Sequence, residues 1–162
     1  MFLTQIVSKG MAPRCSLALG ACLLLSLGLA SCSRKIGDAC TTSADCDPSG
    51  GTRSCDLSQP GGYCLIEGCD ARSCPDDSFC VRFYPSGYAA PACTAADNCQ
   101  ADEDCVDGSC VRRSLEKRIC VQSCGGNGDC RGGYVCSPTG SQGTVALTLT
   151  PGAMPKFCRP GP

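Results

Sequence analysis

The sequence contains no histidine and no tryptophan. Without histidine, the chain cannot form a Ser-His or Cys-His catalytic pair, or a zinc site that uses an imidazole ligand. The spacing C-x-x-C is also missing, although thioredoxin-like redox motifs, zinc ribbons and haem attachment depend on it. We therefore expect no enzyme activity, no cofactor and no bound metal.

Large aliphatic side chains are sparse and scattered after residue 36, and the net charge at pH 7 is −1. A chain of this kind cannot bury an ordinary hydrophobic core, so covalent links must hold it together. The small negative charge does not suggest a nucleic-acid partner.

The N-terminal segment has the layout of a secretory signal. Residues 15–30, CSLALGACLLLSLGLA, carry no charge and follow a stretch that contains Lys9 and Arg14 but no acid. A membrane-spanning helix needs about 20 apolar residues, so this run is short for a permanent span. A basic flank, a short apolar run and small residues at its end are typical of an exported protein. Translation starts at Met1 or at Met11, because MAPR also forms a complete basic flank.

Residues 29–32, L-A-S-C, resemble the lipobox of bacterial lipoproteins at all four positions. The resemblance implies that Cys32 is linked to diacylglycerol, that residues 1–31 are removed as a signal peptide, and that the new amine is acylated, for example with palmitate. More than one acyl chain gives a stable membrane anchor. Because Ser33 rather than Asp follows the cysteine, the resemblance also implies the outer membrane of a Gram-negative cell. The alternative is an ordinary signal, cut nearby, that leaves Cys32 as a thiol.

The cysteine count supports the lipobox interpretation. Of the 19 cysteines, Cys15 and Cys22 leave with the signal and Cys32 carries lipid, so an even number of 16 remains. Sixteen cysteines in an exported chain indicate a disulfide framework. We predict that all sixteen are oxidised.

These sixteen cysteines form four groups of four. In each group the first gap is four or five residues, the second is four to eight, and the third is long and variable. The sequence therefore predicts a small disulfide-rich fold of four tandem four-cysteine units, with short β-hairpins and little regular secondary structure. The units span residues 40–64, 69–93, 99–120 and 124–158, after a lipidated tether at 32–39. Their cysteines are Cys40, Cys46, Cys55 and Cys64; Cys69, Cys74, Cys80 and Cys93; Cys99, Cys105, Cys110 and Cys120; and Cys124, Cys130, Cys136 and Cys158.

The short first gaps would strain a bridge between adjacent cysteines. We therefore expect bridges within each group, from first to third and from second to fourth. The boundary near Cys93 stays open, because Cys93 and Cys99 are themselves separated by five residues. Asp precedes Cys46, Cys105 and Cys130, where its carboxylate suits a turn by accepting hydrogen bonds from backbone N–H groups two residues further along the chain.

The repeated pattern, with Asp before a cysteine and a Gly-bearing turn after it, resembles cysteine-rich extracellular modules such as the dickkopf N-terminal region. The resemblance implies an extracellular binding module and names no partner.

The most aromatic stretch, residues 81–92, is the candidate binding site. Arg82, Phe83, Tyr84 and Tyr88 surround the turn signal P-S-G. Aromatic side chains together with arginine are typical of interaction surfaces. The alternative is that these rings form the small core of their own unit.

Three further features have both a structural and a functional interpretation. The acids of DNCQADEDCVDG face the bases of VRRSLEKR in the third unit, where they compensate each other, and the acidic run lacks the EF-hand spacing for calcium. Within the basic run, Arg112 and Arg113 would suit a protease-facing loop. Residues 145–149 alternate as a period-two strand, which pairs either in its own loop or with a partner strand.

The sequence thus favours a lipid-anchored envelope protein that acts as a binding or structural module. Its expected partners are the membrane, through the anchor, and an unknown protein or envelope polymer at the membrane surface. The alternative is a lipid-anchored protease inhibitor. Between Cys32 and Cys40 the chain, fully extended, spans at most about 28 Å. We therefore expect the first unit to lie close to the lipid headgroups, with Arg34 and Lys35 beside the phosphates.

Overall fold

The structure is a computed structural model that describes residues 33–85, 91–94, 98–150 and 152–162. Within these ranges, no helix combines the length and the apolar composition needed to cross a membrane. The elements in chain order are α1 Ser43–Cys46, β1 Arg53–Cys55, β2 Cys64–Ile66, β3 Ser78–Phe83, β4 Glu103–Val106, β5 Ser109–Arg112, a 3-10 turn Arg113–Leu115, β6 Lys117–Gln122, a 3-10 turn Asn127–Asp129, β7 Tyr134–Pro138, β8 Thr144–Leu147 and β9 Lys156–Pro160.

The strands form small antiparallel sheets. β1 pairs with β2, β4 with β5 and β7 with β9, while β3 lies between β6 and β8. An isolated bridge between Glu67 and Ile119 connects the β1–β2 hairpin to β6, and a second, between Ser123 and Phe157, connects the end of β6 to β9. β6 is therefore the strand around which three of the sheets are arranged.

The predicted period-two strand is observed as β8. It pairs with β3, with Val145 opposite Arg82 and Ala146 opposite Val81. The strand therefore pairs within the chain, although not inside its own loop, because β3 belongs to a distant part of the sequence.

The main hydrophobic core is built on β3 and β6. Val81 of β3 is fully buried, and Ile119 and Val121 of β6 lie in the same cluster with Leu65 of β2 and Phe157 of β9. Cysteines supply much of the remaining interior: Cys46, Cys64, Cys69, Cys80 and Cys120 are at most 1% exposed. The core is small, as the scarcity of large aliphatic residues predicted.

All sixteen predicted cysteines form disulfides, which confirms the small disulfide-rich fold. The eight bridges are Cys40–Cys55, Cys46–Cys64, Cys69–Cys80, Cys74–Cys120, Cys93–Cys105, Cys99–Cys110, Cys124–Cys136 and Cys130–Cys158. In the first and last groups the predicted pairing, first to third and second to fourth, is confirmed.

The prediction that every bridge stays within its own group is wrong for four of the middle eight cysteines, whereas Cys69–Cys80 and Cys99–Cys110 form as predicted. Cys74 pairs with Cys120 rather than Cys93, and Cys93 pairs with Cys105. The reason is strand pairing: β3 lies antiparallel to β6, which places Cys80 opposite Cys120 and leaves the intervening segment as an insertion.

The insertion is itself a complete four-cysteine module. The bridges define module I (Cys40, Cys46, Cys55, Cys64), module II (Cys69, Cys74, Cys80, Cys120), module III (Cys93, Cys99, Cys105, Cys110) and module IV (Cys124, Cys130, Cys136, Cys158). Module III lies inside the long third gap of module II. With this regrouping, all four modules have the same pairing order.

One local geometry repeats in every module. The third and fourth cysteines lie directly opposite each other on two antiparallel strands, in the pairs Cys55–Cys64, Cys80–Cys120, Cys105–Cys110 and Cys136–Cys158. Each of the two then bonds to a cysteine of the preceding turn, so two adjacent disulfides fasten that turn to the hairpin.

The residue before the second cysteine closes this turn. Asp45 accepts hydrogen bonds from the backbone N–H groups of Thr41 and Thr42, and Asp129 accepts in the same way from Gly125 and Gly126. These bonds hold the pKa of Asp45 at about 2. The predicted turn role of Asp is thus observed at both sites, with donors that precede the acid in the chain.

The regrouping changes the role of Asp104. Because Cys105 is the third cysteine of module III, Asp104 lies in strand β4 rather than in a turn. In module III, Asn98 occupies the turn position, and its side-chain oxygen accepts a hydrogen bond from the backbone N–H of Thr94. In module II, Ser73 occupies this position, and its hydroxyl accepts from the backbone N–H of Asp70.

We expect peptide mapping without reduction to recover Cys74–Cys120 and Cys93–Cys105. A tandem arrangement would instead produce Cys74–Cys93 and Cys105–Cys120. The bridges Cys69–Cys80 and Cys99–Cys110 are common to both arrangements, so they serve as internal controls for the digestion.

Replacing Cys74 and Cys120 together by Ala should lower the free energy of unfolding by about 2–5 kcal/mol, because the bridge restricts the unfolded chain. Denaturant unfolding with the other disulfides intact measures this change. An unchanged midpoint would contradict a structural role for the bridge.

Candidate functional site

The predicted aromatic binding site is largely incorporated into the protein's own packing. The Phe83 ring meets Phe157 edge to face, with ring centroids 5.8 Å apart. Tyr84 is 5% exposed and packs against Val106 and Val111 of module III. Tyr88 lies outside the described residues. The two rings are thus packed inside the protein, but against modules III and IV rather than as a core of their own unit, and a binding role for the stretch stays a prediction.

Arg82 and Tyr84 belong to a half-buried charge network. The Arg82 guanidinium donates to the carboxylate of Asp104 at 2.5 Å and lies 3.7 Å from the carboxylate of Glu116. The hydroxyl of Tyr84 lies 2.7 Å from Asp104 and 3.2 Å from Glu116, and its single proton serves one of them at a time. Arg113 reaches Asp104 from the other side, with its Nε 3.1 Å from Oδ1. The network thus joins β3 to module III and to the chain that follows it.

The electrostatics of this network favour fixed protonation states. Burial raises the pKa of the Tyr84 hydroxyl, and its hydrogen bond to Asp104 raises it further. Burial would also raise the pKa of Asp104, but the Tyr84 hydrogen bond and the charge of Arg82 outweigh it and hold that pKa below its usual value. At neutral pH, Tyr84 is therefore protonated and Asp104 ionised, which suits a structural contact better than proton transfer.

A second cluster joins modules I and IV. The guanidinium carbon of Arg131 lies 4.1 Å from the ring centre of Tyr134 and 5.9 Å from that of Tyr63, and the two rings stack at 5.8 Å. Arg131 also donates to the carbonyl oxygens of Pro60 and Gly62 in module I. Burial raises the pKa of Tyr63 to about 12. The sequence analysis did not identify this cluster, because its partners are about 70 residues apart and follow no local pattern.

The acids of module III bind donors of the chain itself. Asp107 accepts from the backbone N–H of Gly143, and Glu103 accepts from that of Gln100 at 3.1 Å. Asp104 is held in the network, and Asp97 lies outside the described residues. The compensation of acids by bases that the sequence suggested is observed for Asp104 and Arg113, whereas Asp107 and Glu103 are bound by backbone N–H groups.

The sulfur atoms of the cysteines lie close enough together to hold a metal ion, but they are not free thiolates. In each module, three sulfur atoms lie within 4.8 Å of one another. Zinc binds cysteine as a free thiolate. Because these sulfurs are joined in disulfides, they do not offer that ligand.

The predicted tether is folded onto module I. The side chain of Ile36 is 5% exposed and lies in the main core. The backbone N–H of Gly37 donates to the carbonyl of Cys64 at 2.9 Å, and that of Cys64 donates to the carbonyl of Asp38 at 3.0 Å. The extended reach of about 28 Å that seven free residues would allow is therefore not available.

Contacts continue to the first described residue. The Ser33 hydroxyl donates to the carbonyl of Cys46 at 3.1 Å and accepts from the guanidinium of Arg53, which also donates to the carbonyl of Arg34 at 2.8 Å. Lys35 forms an exposed ion pair with Asp77, at 3.3 Å. The segment from Ser33 to Cys40 is thus part of the folded domain.

Replacing Asp104 with Asn should lower the free energy of unfolding at pH 7 by about 1–3 kcal/mol, because two guanidinium groups lose their shared carboxylate. The folded-state pKa of Asp104 is lowered, so its stabilisation is complete above the unfolded value of about 4 and is lost as the pH falls through the folded value. The difference from the unaltered protein should therefore shrink in acid, which denaturant unfolding at several pH values measures. Asp102→Asn, an exposed site two residues away, is the control. A difference that stays constant with pH would contradict the assignment.

Comparison with models of known protein families, with curated proteins and with solved structures gave no significant match. The interpretation of the site therefore rests on its residues and their geometry.

Proposed function

We propose that this chain is a lipid-anchored protein of the bacterial cell envelope, in the outer membrane of a Gram-negative cell, where it acts as a binding or structural module. The lipobox at residues 29–32 supplies the anchor on Cys32. The disulfide-rich domain supplies a rigid surface at the membrane for an envelope protein or polymer.

The pairing of the cysteines is the observation that carries this proposal. The sixteen cysteines from Cys40 to Cys158 bond only to one another. They leave no disulfide partner for Cys32 among them. A framework of eight disulfides also requires an oxidising compartment, which supports export of the chain.

The contacts between modules support an interaction role. The Arg131 cluster joins modules I and IV, and the network around Asp104 joins modules II and III. Neighbouring modules therefore hold their exposed side chains in fixed relative positions. Binding to such a preorganised surface costs less conformational entropy than binding to a flexible chain, which must become ordered in the complex.

Replacing Cys32 with Ser should release the protein from membranes, because the thioether to diacylglycerol cannot form. Fractionation of cells into membrane and soluble pools measures the release. Cys22→Ser is a matched control, since it removes a cysteine from the signal and leaves the lipobox intact. Continued membrane association of the Cys32→Ser protein would rule out the anchor.

Protease inhibition is the second candidate, and the loop between β5 and β6 favours it. Together with the end of β5, the loop presents the exposed residues Arg112 and Leu115, and this stretch is bounded by Cys110 and Cys120, each held in a disulfide. A loop braced at both ends suits binding in a protease active site with little loss of entropy. Arg113 is less suited, because its side chain is tied to Asp104.

If the protein is an inhibitor of this kind, it should titrate trypsin stoichiometrically, and Arg112→Ala should abolish the effect. Arg72→Ala, which changes an exposed arginine in another module, should leave it intact. Cleavage after Arg112 without inhibition would exclude the inhibitor function.

A further inference from the structure

The segment from Ser33 to Cys40 is docked onto module I, and this docking determines where the membrane must be. Ser33 is fixed by its bonds to Cys46 and Arg53, and the chain from Ile36 onward is held by burial and by the backbone bonds of Gly37. Neighbouring Cα atoms lie about 3.8 Å apart. A lipid on Cys32 is therefore attached within one residue of the rigid domain.

This attachment point lies at one end of module I. A shallow surface cleft there is lined by Ser33, Asp47, Pro48, Ser49 and Arg53, and we call these five residues the anchor face. Pro48 and Ser49 are exposed. The Arg53 guanidinium beside Ser33 is placed to meet phosphate groups, which attract arginine at a membrane surface.

The β1–β2 hairpin, which carries Arg53 of the anchor face, is linked to β6 at one edge of the three-stranded sheet, and β8 forms the opposite edge. β2 is linked to β6 through the Glu67–Ile119 bridge, and β3 and β8 follow in turn. With strands spaced by about 4.8 Å, β8 lies roughly 10 Å beyond β6 across the three-stranded sheet. Met154, which is 69% exposed, shares a cleft with Val145 and Ala146 of β8.

We propose that the anchor face rests directly on the lipid headgroups and holds the domain in one orientation, with the β8 side away from the bilayer. This inference rests on the lipid modification of Cys32 proposed above. The surface that contacts the anchor face is the membrane, because the lipid on Cys32 and the docked segment hold the anchor face closer to the bilayer than to any other surface.

The absence of tryptophan makes the orientation measurable, since any introduced tryptophan is the only one in the chain. We suggest purified, acylated Pro48→Trp and Met154→Trp proteins in phosphatidylethanolamine–phosphatidylglycerol vesicles that contain phosphatidylcholine with a nitroxide on its headgroup. The Pro48→Trp protein should lose most of its fluorescence, while the Met154→Trp protein should keep most of it. Ser49→Trp provides a second probe of the anchor face if Pro48→Trp does not fold.

A flexible insert tests the docking itself. About 30 Gly/Ser residues between Cys32 and Ser33 span roughly 30 Å and leave the docked segment intact. The insert should restore the fluorescence of the Pro48→Trp protein while the protein stays bound to vesicles.

The outcomes separate the two proposals. Equal quenching at both positions, or stronger quenching in the Met154→Trp protein, overturns the orientation while the anchor stands. Quenching of the Pro48→Trp protein that is unchanged by the insert overturns the role of the docked segment. Acylation without vesicle binding, or no acylation at Cys32, overturns the proposed function instead.

Discussion

The structure depends on one covalent arrangement, in which two adjacent disulfides fasten a short turn to a two-stranded hairpin. The third and fourth cysteines of each module lie opposite each other, and the sulfurs of each module form a compact cluster that supplements the small hydrophobic core. An isolated hairpin is at best marginally stable in water. A native disulfide typically contributes about 2–4 kcal/mol by restricting the unfolded chain, which compensates for the scarcity of large aliphatic residues.

Contacts between modules turn this repeated arrangement into a single framework. Module III is inserted between β3 and β6 of module II, and the half-buried carboxylate of Asp104 binds Arg82 across that junction. Arg131 performs a similar role between modules I and IV, through the Tyr134 ring and the backbone of Pro60. The charged and aromatic residues that resemble a binding site in the sequence therefore position the modules relative to one another.

The N-terminal segment extends the framework to its first described residue. Because Ile36 is part of the core and Ser33 is bonded to the first module, a lipid on Cys32 would act on the orientation of the whole domain as well as on its location. An anchored domain without a flexible spacer has a short reach. This geometry favours a partner that is itself at the membrane surface.

The disulfide-rich fold, the participation of all sixteen cysteines and most of their partners could be predicted from the sequence, because composition and short-range spacing govern these features. Cys69–Cys80 and Cys99–Cys110, for example, follow from local spacing, which is shared by the tandem and the nested arrangements. The bridge between Cys74 and Cys120 could not be predicted in this way, because it depends on the pairing of β3 with β6 across a whole inserted module. Only the tertiary structure, likewise, placed Arg82 and Tyr84 in an internal network and Ile36 in the core. Burial depends on which distant strands pair, and the spacing of residues along the chain does not predict that pairing.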